Sequence, residues 1–428
     1  MKVDRTIAPD IQLVREVRPL EYTRITLEQG SPLYLTEHGE SRLFKLVIRF
    51  DGGSFTENKP LQAQLTAKML LQGTKNKNSL EIAQILDFYG AKLIPVVERD
   101  FFSLKVQGLR KDFKPVMDLV FDLIHNSIFP EKEFEQIRKR LYAQYKTNMK
   151  KKSYVAQNEM KPLLFGTNHP YGFKIDDDAF RLIQLSDLKD YYKNTIQTGR
   201  VRFFLSGIEQ KEAQRVLSSN PGRLHYDDQN KANHNTNLAI PPNQRKELYV
   251  NHDEAVQSAI RLGWKIGNRN HPDFIDLKII NTILGGYFGS RLMKNLREEK
   301  GLTYGIGSAI GSTQQTGLWV IATEVGADYT QLAIEEIYKE INRLKTTSIE
   351  KEELKLIQNY LPGKILRSLE KDFDKLDSFV ELSDHGLPAD YYSSFLKKIR
   401  EIDADRIKDL ANQYLLFHDI SEVIVGKT

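Results

Sequence analysis

RLFKLVIRF (residues 42–50) returns later in the chain as SAIRLGWKI (258–266). Both have the density of β-branched and apolar residues that marks a strand. At an offset of 212 residues VIRF (47–50) falls on AIRL (259–262), Pro60 on Pro272, Gly73 on Gly285 and Leu80 on Leu292. The offset then drifts, as loop insertions would make it. Asp112-Phe113 meets Asp328-Tyr329, and EKEF (131–134) meets EKEE (350–353). These colinear matches indicate a duplicated chain, with a period far longer than that of a solenoid.

Between the copies lies SNPGRLHYDDQNKANHNTNLAIPPNQRKE (219–247), with the Asn, Asp, Pro and Gly content of a linker. The expected organisation is a first half at 1–218, a linker at 219–245 and a second half at 246–428. In each half strands and helices alternate. PLQAQLTAKMLLQ and DFIDLKIINTIL have helical spacing and each ends at glycine. FFSLKVQGL and GLWVIATEV read as strands, KPVMDLVFDLIHN and TQLAIEEIYKEINRL as amphipathic helices. The class expected is α+β, with helices packed on a sheet in each half.

Composition narrows the function. The net charge of +5, from 62 basic and 57 acidic residues, is small for 428 residues. The clusters RKR (138–140) and KKK (150–152) read as solvated helix faces, so no nucleic-acid partner is expected. The absence of cysteine excludes disulfides, thiolate metal sites and a cysteine nucleophile. No run approaches the ~18 apolar residues of a membrane span. MKVDRTIAPDIQLVREV (1–17) lacks the apolar core of a signal peptide. A soluble cytoplasmic protein with no membrane partner is expected.

A zinc hydrolase needs three closely held ligands and a base. No two of the nine histidines stand at i, i+3 or i+4, and the nearest mixed cluster, NHDE (251–254), reads as a polar turn. No G-x-S-x-G elbow is present, and GGYFGS (285–290) fits neither phosphate-loop pattern. There Gly285 is expected to close one helix and Ser290 to cap the next. That next stretch, SRLMKNLREEKGLTYGIGSA (290–309), buries Leu292 and Leu296, ends at Gly301 and enters a strand. Arg297 and Tyr304 stand seven residues apart across the turn. A guanidinium and a phenol so placed either converge on one carbonyl-bearing ligand or are a surface arginine and a half-buried tyrosine. A polar stripe, Gln64, Lys68 and Gln72, also marks the otherwise apolar helix AQLTAKMLLQGT (63–74).

Together the repeat and this motif resemble the pitrilysin-like (M16) metallopeptidase family, which includes insulin-degrading enzyme, the mitochondrial processing peptidase subunits and bacterial two-subunit peptidases. The resemblance covers nearly the whole chain. LGGYFGSRLMKNLREEKGLTYGIGS (284–308) is its most specific stretch, similar to the family's glycine pair, Ser-Arg-Leu and Arg-Glu-x-x-Gly-Leu-x-Tyr. FGTNHPYG (165–172) looks like the family's segment after its zinc site. The resemblance implies a LuxS/MPP-like metallohydrolase fold with a mostly antiparallel sheet in each half. It also implies that Arg297 and Tyr304 are the pair that hydrogen-bonds the substrate backbone and scissile carbonyl.

Peptide-cutting members carry His-x-x-Glu-His on a helix that runs into Gly-Thr, and a distal glutamate. Anchored on Gly73-Thr74, the motif falls on QLTAK (64–68). The histidine positions are Gln64 and Lys68, the base is Ala67, and the distal glutamate falls near Gln144. Ala67 has no group to take a proton from water, and a charged Lys68 has no lone pair for a dication. No metal is expected in this chain; zinc is expected in a partner. In active relatives an edge strand of this half pairs with peptide, and here Pro95 falls near that point, which puts strand addition in question.

Two functions follow from the resemblance. In one, the chain is the zinc-less subunit of a heterodimeric peptidase acting on unstructured peptides, and lends Arg297 and Tyr304 to a partner with the zinc motif. Self-association is expected when it is isolated. In the other, it is a structural or peptide-binding relative with no part in catalysis.

Overall fold

The computed structural model describes residues 14, 16–36, 39, 41–219, 239–252 and 255–427. Most of the N-terminal stretch read for a leader, most of the linker, and Asp253 and Glu254 lie outside the described residues. The first sheet holds β1 (Tyr22–Thr26), β2 (Pro32–Thr36), β3 (Leu43–Asp51), β4 (Lys92–Val97), β5 (Phe101–Leu109) and β6 (Val201–Ser206), in the order β1-β2-β6-β3-β5-β4. The second holds β7 (Glu247–Asn251), β8 (Gln257–Ile266), β9 (Thr303–Ser312), β10 (Gly317–Gly326) and β11 (Ser421–Gly426), in the order β7-β11-β8-β10-β9. Among the described residues only β2 with β6 and β7 with β11 pair in parallel. The fold is α+β, with two mostly antiparallel sheets covered by helices.

The repeat has a clear geometric counterpart. RLFKLVIRF gives β3 and SAIRLGWKI gives β8, each in the interior of its sheet. Asp112-Phe113 and Asp328-Tyr329 lie where a single 3-10 turn opens into the long helices Phe113–Asn126 and Thr330–Thr346. EKEF opens helix Glu131–Met149 and EKEE opens helix Lys351–Arg367.

β3 and β8 are buried along nearly their whole length because both faces of each sheet are covered, which is why neither alternates apolar with polar. Phe44, Leu46, Ile48 and Phe50 face the helices of their own half. On the other face Val47 and Phe204 pack against Phe379 and Val380 of helix Asp372–Asp384, which comes from the second half. The second sheet receives the reciprocal helix. Val155, Met160 and Leu164 of helix Lys152–Phe165 pack on Ala259, Val423 and Val425. Gly263 makes room for this, since a Cβ there would lie 3.2 Å from the Met160 sulfur and 3.3 Å from a Leu164 methyl.

Charge reinforces the first of these contacts. Lys45, on the same face of β3 as Val47, reaches Asp377 at 2.5 Å. Arg49 and Arg202 both bond the buried Asp384, Arg202 at 3.0 Å, and Arg49 also donates to Ser103 Oγ at 2.8 Å. Burial raises the Asp384 carboxyl's pKa, while the two guanidiniums pull it back.

Candidate functional site

The helix that carries QLTAK runs Gln62–Met69 and begins after Leu61, which takes a left-handed conformation (φ 75°). Glu57 tethers its first turn by accepting the Ala63 N–H at 2.7 Å. The α-helix stops at Met69, short of Gly73, because Leu70–Gln72 tightens into a 3-10 turn before Gly73 ends it. Leu65, Thr66, Ala67 and Met69 are buried, whereas Gln64 and Lys68 are exposed. With Ala67 these two line a cavity of about 870 Å³ between this helix and β4. Gln144 is exposed on helix Glu131–Met149 and is not on the cavity wall; Arg140, one turn earlier, is.

The cavity is rich in positive charge. Lys68, Arg99, Arg140 and Lys161 line it, and none of the four side chains has a hydrogen bond or ion pair among the described residues. Arg99 instead lies 5.4 Å from the Phe165 ring centroid and 5.7 Å from that of Tyr171. Burial lowers the pKa of Lys161, the Arg99 charge lowers it further, and Glu57 opposes both. Burial raises the Glu57 carboxyl to about 8. The FGTNHPYG segment forms the floor and joins the halves. Tyr171 bonds Asp100, which accepts the Gln314 N–H at 3.0 Å, and His169 Nε2 lies 3.2 Å from Gln315 Oε1.

Arg297 and Tyr304 lie in the other half. The stretch Met293–Glu299 winds as a π-helix, a form that recurs at functional sites. It is pinned at its start by Arg291 bonding Glu353 at 2.8 Å, and within by Asn295 donating to Glu336 (2.9 Å) and Glu340 (2.8 Å). Gly301 (φ 63°) makes the left-handed turn into β9. Ser290 does not cap this helix with its side chain: its buried Oγ has no partner among the described residues, and its carbonyl accepts the Lys294 N–H. The Arg297 guanidinium stacks 4.6 Å from the Phe288 ring centroid.

Tyr304 is 93% exposed, on an edge strand. The β9–β10 register shifts there: Ile306 opposes Thr323 and Thr303 opposes Val325, so Tyr304 and Gly305 face Glu324 alone. Such a bulge turns a side chain out of the regular pleat. Thr303 Oγ1 donating to the Glu324 carbonyl at 2.7 Å and Thr323 Oγ1 to the Gly305 carbonyl at 3.0 Å hold it in place. No hydrogen bond joins Arg297 and Tyr304, and neither has an ion pair among the described residues.

Comparison with known proteins matches this arrangement to two models of one family. "Insulinase (Peptidase family M16)" matches residues 35–168 and "Peptidase M16 inactive domain" matches residues 183–361. The chain belongs to the M16 peptidase family. An "uncharacterized zinc protease YmxG" of Bacillus subtilis is 23% identical, over 91% of this chain and 95% of that protein. A "non-peptidase homolog YmxG" of Helicobacter pylori is 22% identical over 88% and 87%. The crystal structure of a peptidase M16 inactive domain from Pseudomonas fluorescens superposes with a TM-score of 0.84, at 23% identity, over 96% of this chain and 98% of that one.

The zinc centre associated with M16 peptidases does not fit the residues at this helix. Gln64, Ala67 and Lys68, where the resemblance lays the two imidazoles and the base, offer neither imidazole nor carboxylate, and four cations without ion-pair partners among the described residues share the cavity a dication would enter. Among the described residues no group of three His, Asp or Glu side chains is gathered as metal ligands. No helix among them is long and apolar enough to cross a membrane. Arg99, Arg140 and Lys161 are the site residues that sequence reasoning missed. The RKR cluster, read as a solvated face, was the one signal: Arg138 pairs with Glu135, but Arg140 turns into the cavity.

Proposed function

We propose that this M16 chain is the zinc-less subunit of a two-chain peptidase. It supplies Arg297 and Tyr304 to a site closed by a partner that carries His-x-x-Glu-His. We take 1–218 and 246–428 as the two halves, joined through 219–245. The observation that supports this reading most is Tyr304, fully presented on a bulge of an edge strand, its hydroxyl bonded to nothing among the described residues. Arg297 stands close by in sequence, held by a pinned π-helix with its guanidinium unpaired. The phenol offers one adjustable donor and the guanidinium a planar set, the donors suited to charge developing on a peptide carbonyl oxygen.

The test mixes the purified chain with a zinc-motif M16 partner and follows cleavage of an unstructured fluorogenic peptide. Activity is expected only in the mixture. Arg297→Ala and Tyr304→Phe are each expected to lower kcat/KM by about 10²–10³-fold while the complex still elutes as a heterodimer. Undiminished activity in both variants, or chelator-sensitive activity from this chain alone, would overturn the reading.

A further inference from the structure

We propose that the cavity beside the altered zinc helix is a receptor for carboxylates, and that it takes an extended acidic peptide segment. Four cations reach it from four elements: Lys68 on helix Gln62–Met69, Arg99 in the β4–β5 turn, Arg140 on helix Glu131–Met149 and Lys161 on helix Lys152–Phe165. Gathering like charges costs free energy, and Arg99 and Lys161 are close enough to repel one another. Asp100 favours the Arg99 charge and Glu57 that of Lys161, but among the described residues no carboxylate forms an ion pair with any of the four. Of the acids on the wall, Glu98 is engaged by Arg49 at 2.5 Å. Glu57 is occupied by the Ala63 amide, and its burial keeps it largely uncharged at neutral pH. The wall is therefore cationic and complementary to an anion.

Shape favours a peptide over a small ion. At about 870 Å³ the cavity exceeds what a phosphate fills, and it runs along β4, the edge of its sheet. Leu61, Leu71, Leu93 and Val97 provide apolar wall between the cations, a pattern suited to acidic side chains separated by apolar ones. The inference does not rest on Arg297 and Tyr304.

Fluorescence anisotropy on the full isolated chain tests it, with a labelled N-acetylated peptide of alternating glutamate and valine and a counterpart with glutamine for every glutamate. The acidic peptide is expected to bind at least about tenfold more tightly, and to lose that advantage as salt rises from about 0.05 to about 0.5 M. Lys68→Gln combined with Arg140→Gln alters two exposed side chains and is expected to leave the fold intact. It should erase most of the preference while leaving the glutamine peptide unaffected. Lys161→Gln should act in the same direction, and Tyr304→Phe should change nothing. Equal affinity for the two peptides, or an unchanged preference in the Lys68/Arg140 variant, would overturn the proposal. Binding of tripolyphosphate without a preference for the acidic peptide would overturn it too, since the site would then take a small polyanion.

Discussion

Glu57 is buried where the altered helix begins, with the Ala63 N–H 2.7 Å from its carboxyl. Burial lifts its pKa from the ordinary 4.5 to about 8, while the Ala63 amide, Lys161 and the Gln64 amide pull the other way. Between those values the folded chain keeps a proton that the unfolded chain has released, so stability falls as pH rises through that window. The unfolding free energy in urea is expected to drop on the order of 3–4 kcal/mol between about pH 5 and about pH 8. Glu57→Gln, a neutral group of the same shape, should flatten that fall, and a slope that survives in the variant would count against the assignment. The altered motif itself was legible in the sequence, because the loss depends on what Gln64, Ala67 and Lys68 are rather than on where they point. The cationic cavity was not legible, since Lys68, Arg99, Arg140 and Lys161 are scattered through the chain and meet only once it folds.

At the scale of elements, two of the edge strands, β4 with its proline and β9 with its bulge, bear on peptide pairing. The Glu98 N–H, just past β4, donates inward to the Phe101 carbonyl at 2.9 Å. The alternation of an antiparallel pair then turns Leu93, Pro95 and Val97 toward the open edge. Pro95 thus removes one outward donor and costs the sheet nothing on its paired side. The edge position expected for this strand holds, and an added peptide would find one hydrogen bond fewer. Pro95→Val restores that donor, and the acidic peptide's affinity is expected to rise about two- to tenfold by anisotropy, the worth of one net hydrogen bond. No change would mean that side chains alone hold the peptide. Strands and helices of both halves were readable from repeat, periodicity and glycine stops. The bulge at Tyr304 and the π-helix carrying Arg297 were not, because each shifts a ladder by a single residue and leaves the apolar pattern intact.

Over the whole molecule, the exchange of helices makes each half incomplete without the other. The sequence conceals this, since nothing in the residues of helix Lys152–Phe165 or helix Asp372–Asp384 says which half's sheet each will cover. Asp384 is the polar centre of one exchange: its side chain is 6% exposed and serves Arg49 and Arg202 at once. Asp384→Ala removes the carboxylate that two buried guanidiniums share and leaves Arg49 to Glu98 and Arg202 to Asp51 at 3.5 Å, so a loss of about 3 kcal/mol, the low end for a broken buried pair, is expected. Two probes can show whether that loss is shared. Both tryptophans, Trp264 and Trp319, stack at 5.1 Å in the second sheet, so their fluorescence follows that half, whereas far-UV circular dichroism follows the entire chain. If the exchanged helices bind the halves into one cooperative unit, the two signals should unfold together in urea, and in Asp384→Ala should move together to lower concentration. A tryptophan transition that stays in place while the dichroism shifts would show that the second half holds without the first, and that the ionic cluster only docks one half on the other.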